Sequence, residues 1–300
     1  MAEQAIASIA FVGTGNIGGP MAARLQRCGW RVTACDIAPA NLAPLAAAGL
    51  ATTARAADCA SCDLVLVMVV SEAQVEAVVN GPDGLLAGLD RQRPPTLVVM
   101  SSVRPAFVRD LAAQLGPLAI PVVDAAVSGG AAGAEQGTLS IMAGGPAPAL
   151  ARLQPVFATL GTLFPCGDTG AGVAVKAINN LLGITNIYLM AEAVNLARGQ
   201  GLDPDGVAAI MEASSGRNAG TADLARYRRA WGEFSANPAA MAGALATSRK
   251  DFSVARAMAE DLGLELPLVR AMLEGFKGLD AEVVGGLWAA ASVAEGGGLG

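Results

Sequence analysis

The first half of the chain alternates short apolar runs with segments of helical periodicity. The apolar runs predict strands at residues 6–12, 31–36, 64–70, 96–100, 122–126, 139–143 and 162–165. The segments at 19–29 and 40–48 show the spacing of amphipathic helices. Uninterrupted apolar runs are typical of strands that are buried on both faces, and their alternation with helices predicts βαβ units in a parallel sheet.

The pattern changes after residue 172. Residues 173–198 repeat apolar positions with helical spacing, with Gly183 as the one breaker in the interior, which predicts a helix of about seven turns. Beyond residue 203 the pattern stays helical with Gly and Pro between segments. We therefore expect an α/β domain over residues 1–165, followed by an all-α domain over 166–295 that a long interdomain helix opens.

A glycine-rich hexapeptide joins the first predicted strand to the first predicted helix. Its six residues are the first candidates for cofactor binding: Gly13, Thr14, Gly15, Asn16, Ile17 and Gly18. In such a loop the first glycine allows a tight turn, the second lets a pyrophosphate approach the backbone, and the third allows helix and strand to pack closely. The phosphates then lie at a helix N-terminus. The sequence therefore predicts a Rossmann-type, doubly wound domain that binds a dinucleotide.

An acidic residue in the second strand bears on the choice of cofactor. Asp36 ends that strand, eighteen residues beyond Gly18, close to the spacing expected of a residue that binds the adenosine ribose. Its carboxylate can accept hydrogen bonds from the ribose hydroxyls but would repel the 2′-phosphate of NADP, and no Arg follows closely to compensate. We expect NAD rather than NADP.

Two further strand ends are expected at the same crevice, because ligands of open α/β sheets bind beyond the carboxyl ends of the strands. Val69 and Val70 close one strand, and Ser101 and Ser102 follow another. These residues are candidate cofactor contacts, and capping of a turn is the other interpretation of the two serines.

Composition and charge exclude several classes of protein. The chain is 53% hydrophobic and 15% charged, enough apolar material for sizeable cores. A net charge of -6 argues against nucleic acid as a partner. With no secretion signal and no uninterrupted apolar run of about 20 residues, we expect a cytoplasmic protein that does not span a membrane. The single CxxC pair, Cys59 and Cys62, has no second pair at zinc-ligand spacing, so no metal site is expected.

The chain contains no histidine, which removes the commonest general base. Lys176 and Asn180 lie four residues apart in the predicted long helix, a spacing that places both on one face. Taken alone, a lysine this close to the start of an apolar helix has either a functional role or extends to solvent.

Four separated motifs together make the chain resemble the β-hydroxyacid dehydrogenase family, which includes 3-hydroxyisobutyrate dehydrogenase and tartronate semialdehyde reductase. The resemblance covers residues from about 6 to about 275. The motifs are GGPMA at 18–22, DAAVSGG at 124–130, GAGVAVKAINN at 170–180 and KDF at 250–252. The chain departs from the family pattern at Ala126 and at Val70, where family members usually or often have proline.

The resemblance implies a role for each part of the site. Lys176 would be the general acid/base, with its pKa lowered from about 10.4 by apolar surroundings, and Asn180 would orient the substrate. Ser128 and the amides of Gly129 and Gly130 would hold the substrate carboxylate. Ser102 and Lys250 would contact the nicotinamide-side ribose or the phosphates.

A final segment of the resemblance is SSGRN at 214–218. Arg217 would pair there with the substrate carboxylate or with an acid of a neighbouring subunit. We expect an NAD-dependent enzyme that interconverts a small β-hydroxyacid and its semialdehyde, and a homodimer or homotetramer. The alternatives are a semialdehyde or imine reductase that works mainly in the reductive direction, although imine reductases generally lack the lysine, and a non-catalytic scaffold with bound NAD. The identity of the acid stays open.

Overall fold

The computed structural model describes residues 6–293. These residues form two compact units that divide after Lys176, inside the helix Ala171–Gly199. The boundary expected near residue 165 stays a prediction.

The first unit is an α/β layer structure. Its strands are β1 (Ser8–Val12), β2 (Arg31–Cys35), β3 (Ala51–Thr53), β4 (Leu64–Val67), β5 (Thr96–Val99), β6 (Val122–Ser128), β7 (Leu139–Gly144) and β8 (Gly161–Gly167). Its helices are α1 (Gly18–Arg27), α2 (Pro39–Ala47), α3 (Glu72–Asn80), α4 (Pro105–Leu115), α5 (Gly130–Gln136) and α6 (Ala147–Leu160). Every strand predicted from an apolar run is confirmed, whereas the three-residue β3 was not predicted.

The strands form one sheet in the order β3-β2-β1-β4-β5-β6-β7-β8. The order reverses between β1 and β4, as in a doubly wound fold. The sheet is mostly parallel, as predicted, and the exception is β7, which is antiparallel to β6, with Asp124 opposite Gly144. The connection at residues 129–138 holds only the short helix α5, and a parallel crossover needs about a dozen residues or more.

The core of the first unit lies on both faces of the sheet. Phe11, Leu66 and Val98 belong to one buried cluster, which also contains Met21 of α1 and Phe157 of α6. The alternate positions of the same strands belong to a second cluster, together with residues of α3 and α4. Two buried faces explain why the strands appear in the sequence as continuous apolar runs.

The second unit is helical. It contains most of α7 (Ala171–Gly199), and then α8 (Pro204–Glu212), α9 (Ala219–Ala222), α10 (Leu224–Ser235), α11 (Pro238–Asp261), α12 (Pro267–Gly278) and α13 (Ala281–Ser292). Aromatic residues fill its core, where the rings of Tyr188 and Phe276 meet edge to face at 4.7 Å. The predicted fold class, a Rossmann-type domain followed by an all-α region that a long helix opens, is confirmed.

Helix α7 has several exposed apolar side chains, among them Leu182, Leu189 and Leu196. By length and composition it is the one helix within residues 6–293 that could cross a membrane, with a mean hydropathy of 1.2 over an 18-residue window. The core helix of a water-soluble protein meets the same criterion, so this is weak evidence for a membrane span. Only 22% of this 18-residue window is buried within the structure.

Candidate cofactor and substrate site

The glycine loop between β1 and α1 shows a different constraint at each of its three glycines. A Cβ at Gly13, where φ is +91°, would lie 2.2 Å from the carbonyl oxygen of Met68. A Cβ at Gly18 would lie 2.0 Å from the carbonyl oxygen of Gly13. At Gly15 no heavy atom lies within 4 Å of the Cβ position. The first and third glycines are thus required by packing, while the second leaves open space beside the backbone.

The start of α1 fits a phosphate group. The helix begins at Gly18, and no side chain caps it at the preceding Ile17. The first N–H groups of a helix need partners from outside the helix, and with the helix dipole they favour an anion. The open backbone at Gly15 and this uncapped helix start fit the pyrophosphate of a dinucleotide, with Asn16 and Ile17 between them in the chain.

Asp36 is tied to the glycine loop by its carboxylate. Oδ2 accepts hydrogen bonds from the Thr14 N–H at 2.8 Å and from Asn41 Nδ2 at 3.0 Å, and Oδ1 accepts from the Ala38 N–H at 2.8 Å. Partial burial acts to raise the pKa of Asp36, but these hydrogen bonds together hold it below its ordinary value. Asp36 is therefore a half-buried, ionised carboxylate beside the loop.

The ends of β4 and β5 meet next to the glycine loop, and their N–H groups already have partners. The Val69 N–H donates to Ser101 Oγ at 2.9 Å, and the Val70 N–H donates to Gln74 Oε1 at 2.7 Å. Ser101 is buried, whereas Ser102 is partly exposed. Any cofactor contact at Val69 and Val70 would therefore use carbonyl groups or side chains, and Ser102 is the serine that is open to a ligand.

The candidate site for the substrate carboxylate lies at the end of β6. Ser128 is the last residue of the strand and is half-buried. Gly129 and Gly130 follow with φ of +135° and +65°, a backbone that favours glycine. No heavy atom lies within 4 Å of a Cβ position at Gly130. The backbone there is accessible to a small ligand.

Asn180 takes part in a polar cluster within the helical unit. Its Nδ2 donates to Asp251 Oδ2 at 2.7 Å, and Lys250 Nζ lies 3.5 Å from Asp251 Oδ1. Asp251 is buried, and its carboxylate contacts both Asn180 and Lys250, two residues from separate sequence motifs. Lys176 precedes Asn180 by one helical turn on the continuous helix α7 and is half-buried.

Arg217 lies in the loop between α8 and α9, where it makes an ion pair with Glu212 at 2.8 Å. The Arg217 side chain is 75% exposed. Its contact with a substrate or with a neighbouring subunit stays a prediction, as does contact of Lys250 with a cofactor.

Sequence analysis gave no role to two buried carboxylates, Asp124 in the first unit and Asp251 in the second. Asp124 is fully buried, and its carboxylate accepts the N–H groups of Gly170 and Val173. Asp124 and Asp251 lie inside motifs that the sequence shows, but their partners are distant in the chain. The signal that was available is the presence of an acidic residue in a strand or helix that is otherwise apolar.

The doubly wound sheet, the glycine loop and Asp36 are the features of a dinucleotide-binding domain. Residues 8–172 match the family model described as the NAD binding domain of 6-phosphogluconate dehydrogenase. Residues 170–294 match the model described as NAD-binding of NADP-dependent 3-hydroxyisobutyrate dehydrogenase.

Relatives narrow the class to one family. The chain is 39% identical over 212 residues to a 3-hydroxyisobutyrate dehydrogenase of Pseudomonas aeruginosa, covering 70% of each chain. It is 32% identical to 2-hydroxy-3-oxopropionate reductase of Escherichia coli, covering 86% of each. A solved structure of Mycobacterium tuberculosis 3-hydroxyisobutyrate dehydrogenase with L-serine superposes with a TM-score of 0.78 at 26% identity, over 94% of this chain and 98% of that one. The protein belongs to the β-hydroxyacid dehydrogenase family and is an NAD(P)-dependent enzyme of that class.

The packing at Gly13 predicts a specific defect. We expect Gly13→Ala to lower the free energy of unfolding by about 1–3 kcal/mol more than Gly29→Ala does, because the new Cβ overlaps the Met68 carbonyl, and to weaken NADH binding. Gly29 is the matched control, since its φ of +92° imposes the same backbone strain but no heavy atom lies within 4 Å of the Cβ position. Chemical denaturation and NADH fluorescence titration measure the two effects, and equal losses in both variants would contradict the assignment.

Proposed function

We propose that the protein oxidises the β-hydroxyl of a small β-hydroxyacid with NAD as the acceptor, and catalyses the reverse reduction, with Lys176 as the general acid/base. The observation that carries the proposal is the placement of Lys176 and Asn180 one turn apart on α7 in a chain that has no histidine. Family membership supplies the reaction class. The proposal goes beyond that class in three points: the role of Lys176, the preference for NAD and the class of substrate.

The substrate class follows from the end of β6 and from the names of the relatives. Ser128 and the backbone at Gly129 and Gly130 offer hydrogen-bond donors to a carboxylate. 3-Hydroxyisobutyrate, which names one relative, and L-serine, which accompanies another, both carry a carboxylate and a hydroxyl group on the β-carbon. The shared unit is a carboxylate two carbons from an alcohol, and we propose that this unit is what the protein selects.

Lys176 would move the proton. In the oxidation its neutral amine accepts the proton of the β-hydroxyl, and in the reduction its ammonium returns a proton to the oxygen. Bound NAD supplies the hydride acceptor. Asn180 would contribute a hydrogen bond of fixed direction, because the acceptor Asp251 sets the rotation of its amide.

Asp36 supports NAD over NADP. Its carboxylate is ionised and is held beside Thr14 by two hydrogen bonds. An adenosine 2′-phosphate would bring like charges together there, whereas a ribose hydroxyl would donate to the carboxylate.

The proposal is tested by NADH formation across a panel of β-hydroxyacids that includes 3-hydroxyisobutyrate, L-serine, glycerate and threonate, repeated with NADP. We expect at least one acid to be oxidised, with kcat/KM for NAD about tenfold or more above that for NADP, since a hydrogen bond to a charged group contributes about 1.5–3 kcal/mol. Asp36→Asn should reduce this ratio while leaving KM for the acid unchanged. A preference for NADP would overturn the role of Asp36, and inactivity on the whole panel would favour the non-catalytic alternative.

The role of Lys176 predicts a large loss confined to turnover. We expect Lys176→Ala to lower kcat by about 100- to 10,000-fold, the usual contribution of general acid/base catalysis, with NADH binding retained. Lys176→Arg keeps the positive charge but cannot release a proton near neutral pH, so it should be similarly impaired. The exposed Lys277→Ala is the control and should keep wild-type turnover. Wild-type kcat in Lys176→Ala would refute the assignment.

We also propose that the exposed face of α7 packs against a second copy of the chain. Leu182, Leu189 and Leu196 recur every seven residues and are 66%, 54% and 68% exposed. Apolar positions at this spacing form the seam by which helices pair. A stripe of this kind on one helix can pair with the same stripe on another copy, in an isologous interface.

The interface predicts that charge on this stripe separates the subunits. Light scattering should give the mass of a dimer or tetramer for the wild type, and that of a monomer for the double variant Leu182→Glu and Leu196→Glu, because the pairing would bury two unpaired carboxylates per copy. Leu268→Glu, at a position 76% exposed outside α7, should leave the mass unchanged. A monomeric wild-type protein would overturn this proposal.

A further inference from the structure

A buried carboxylate joins the middle of β6 to the start of α7. Asp124 is 0% exposed. Its Oδ1 accepts a hydrogen bond from the Gly170 N–H at 2.6 Å, and its Oδ2 accepts one from the Val173 N–H at 2.7 Å. Gly170 directly precedes α7, and Val173 lies in its first turn. One side chain therefore fixes the beginning of the helix that carries Lys176.

The backbone around Asp124 is shaped to admit its carboxylate. A Cβ at Gly144, which is opposite Asp124 in the sheet, would lie 2.7 Å from Oδ1, and a Cβ at Gly172 would lie 2.8 Å from Oδ2. A side chain at either position would displace the carboxylate or the helix start. Burial raises the pKa of Asp124, and the N–H donors of Gly170 and Val173 act against that rise. A carboxylate at a helix N-terminus also complements the helix dipole.

The same strand carries the candidate substrate site. Asp124, Ala126 and Ser128 alternate along β6 and therefore point to one face of the sheet. Ala126 and Val173 belong to one buried cluster, so this is the face on which α7 begins. Lys176 follows Val173 by three residues, about 4.5 Å along the helix axis. The strand that ends in Ser128 thus also holds the helix turn before Lys176.

We propose that Asp124 is a positioning residue: its two hydrogen bonds hold the first turn of α7 on β6, and thereby set Lys176 relative to the substrate carboxylate at Ser128. The proposal rests on the proposed function of Lys176. It assigns two glycines of the helix motif to Asp124 and not to contact with a ligand: Gly170 donates its N–H to the carboxylate, and Gly172 leaves space for it.

The test is Asp124→Asn, which keeps the size of the side chain but replaces one acceptor oxygen with an N–H donor that faces other donors. We expect faster hydrogen exchange at the Gly170 and Val173 amides, and a kcat about 10- to 100-fold lower per folded molecule, the effect of a misplacement of about 1 Å. KM for NAD should change little, because the glycine loop and Asp36 are untouched. If Asp124→Asn does not fold, Asp124→Ser removes the carboxylate with a smaller side chain, and the same expectations apply.

Asp63→Asn is the matched control. Asp63 also accepts two backbone N–H groups, those of Ala7 and Ser8 at 2.9 Å, but at the start of β1, away from the carboxyl ends of the strands. We expect it to lower stability while leaving kcat per folded molecule unchanged.

The outcomes separate the two proposals. Faster exchange at Gly170 and Val173 with wild-type kcat would show that Asp124 has a structural role only, and would overturn the inference. Slow exchange at these amides in the Asp124 variants would overturn it as well. Wild-type kcat in Lys176→Ala would instead overturn the proposed function, and the exchange at Gly170 and Val173 does not depend on that result.

Discussion

The cofactor half of the molecule depends on the close contact of three backbone segments at the glycine loop. β1, α1 and β4 meet there because neither Gly13 nor Gly18 has a side chain, and a Cβ at either would lie about 2 Å from a carbonyl oxygen. This contact brings the start of α1 to the carboxyl edge of the sheet. The Thr14 N–H then lies within hydrogen-bond distance of Asp36. A packing constraint among backbone atoms thus places the groups that would recognise a dinucleotide.

A dinucleotide site alone defines no reaction, and the chemistry that must be added is proton transfer at the substrate oxygen. In most enzymes histidine would be the first candidate for it, but this chain has none. The last residue of the first unit is Lys176, in the second turn of α7. It follows Val173, whose N–H donates to Asp124, by three residues. Hydrogen bonds from Gly170 and Val173 to Asp124 therefore fix the start of α7 to β6.

The parts that sequence predicted well are those in which neighbouring residues in the chain carry the information. The glycine loop, Asp36 and the buried strands are local patterns. In the structure the strands form at the predicted segments, the loop joins β1 to α1, and Asp36 directly follows β2. β3 was missed because it has three residues, only one of which is even partly buried. The antiparallel β7 was missed because strand direction depends on the length of the connection. The partner of Ser101 depends on which strand lies beside β5, which the local pattern does not contain.

A single sequence motif can contain residues with a chemical role and residues that are required by packing, and the structure shows which residues are which. In the segment GAGVAVKAINN, the lysine and the final asparagine are positions where a chemical group is proposed to act on a substrate. The two glycines meet backbone constraints: Gly170 has a φ of +95°, and a Cβ at Gly172 would lie 2.3 Å from the Met142 carbonyl oxygen and 2.8 Å from Asp124. The segment DAAVSGG also contains both kinds of residue. Asp124 accepts hydrogen bonds from the start of α7, and Ser128, the last residue of β6, is proposed to bind the substrate carboxylate. The two motifs are distant in the chain, yet the contact between Asp124 and the start of α7 explains why residues of both motifs are needed.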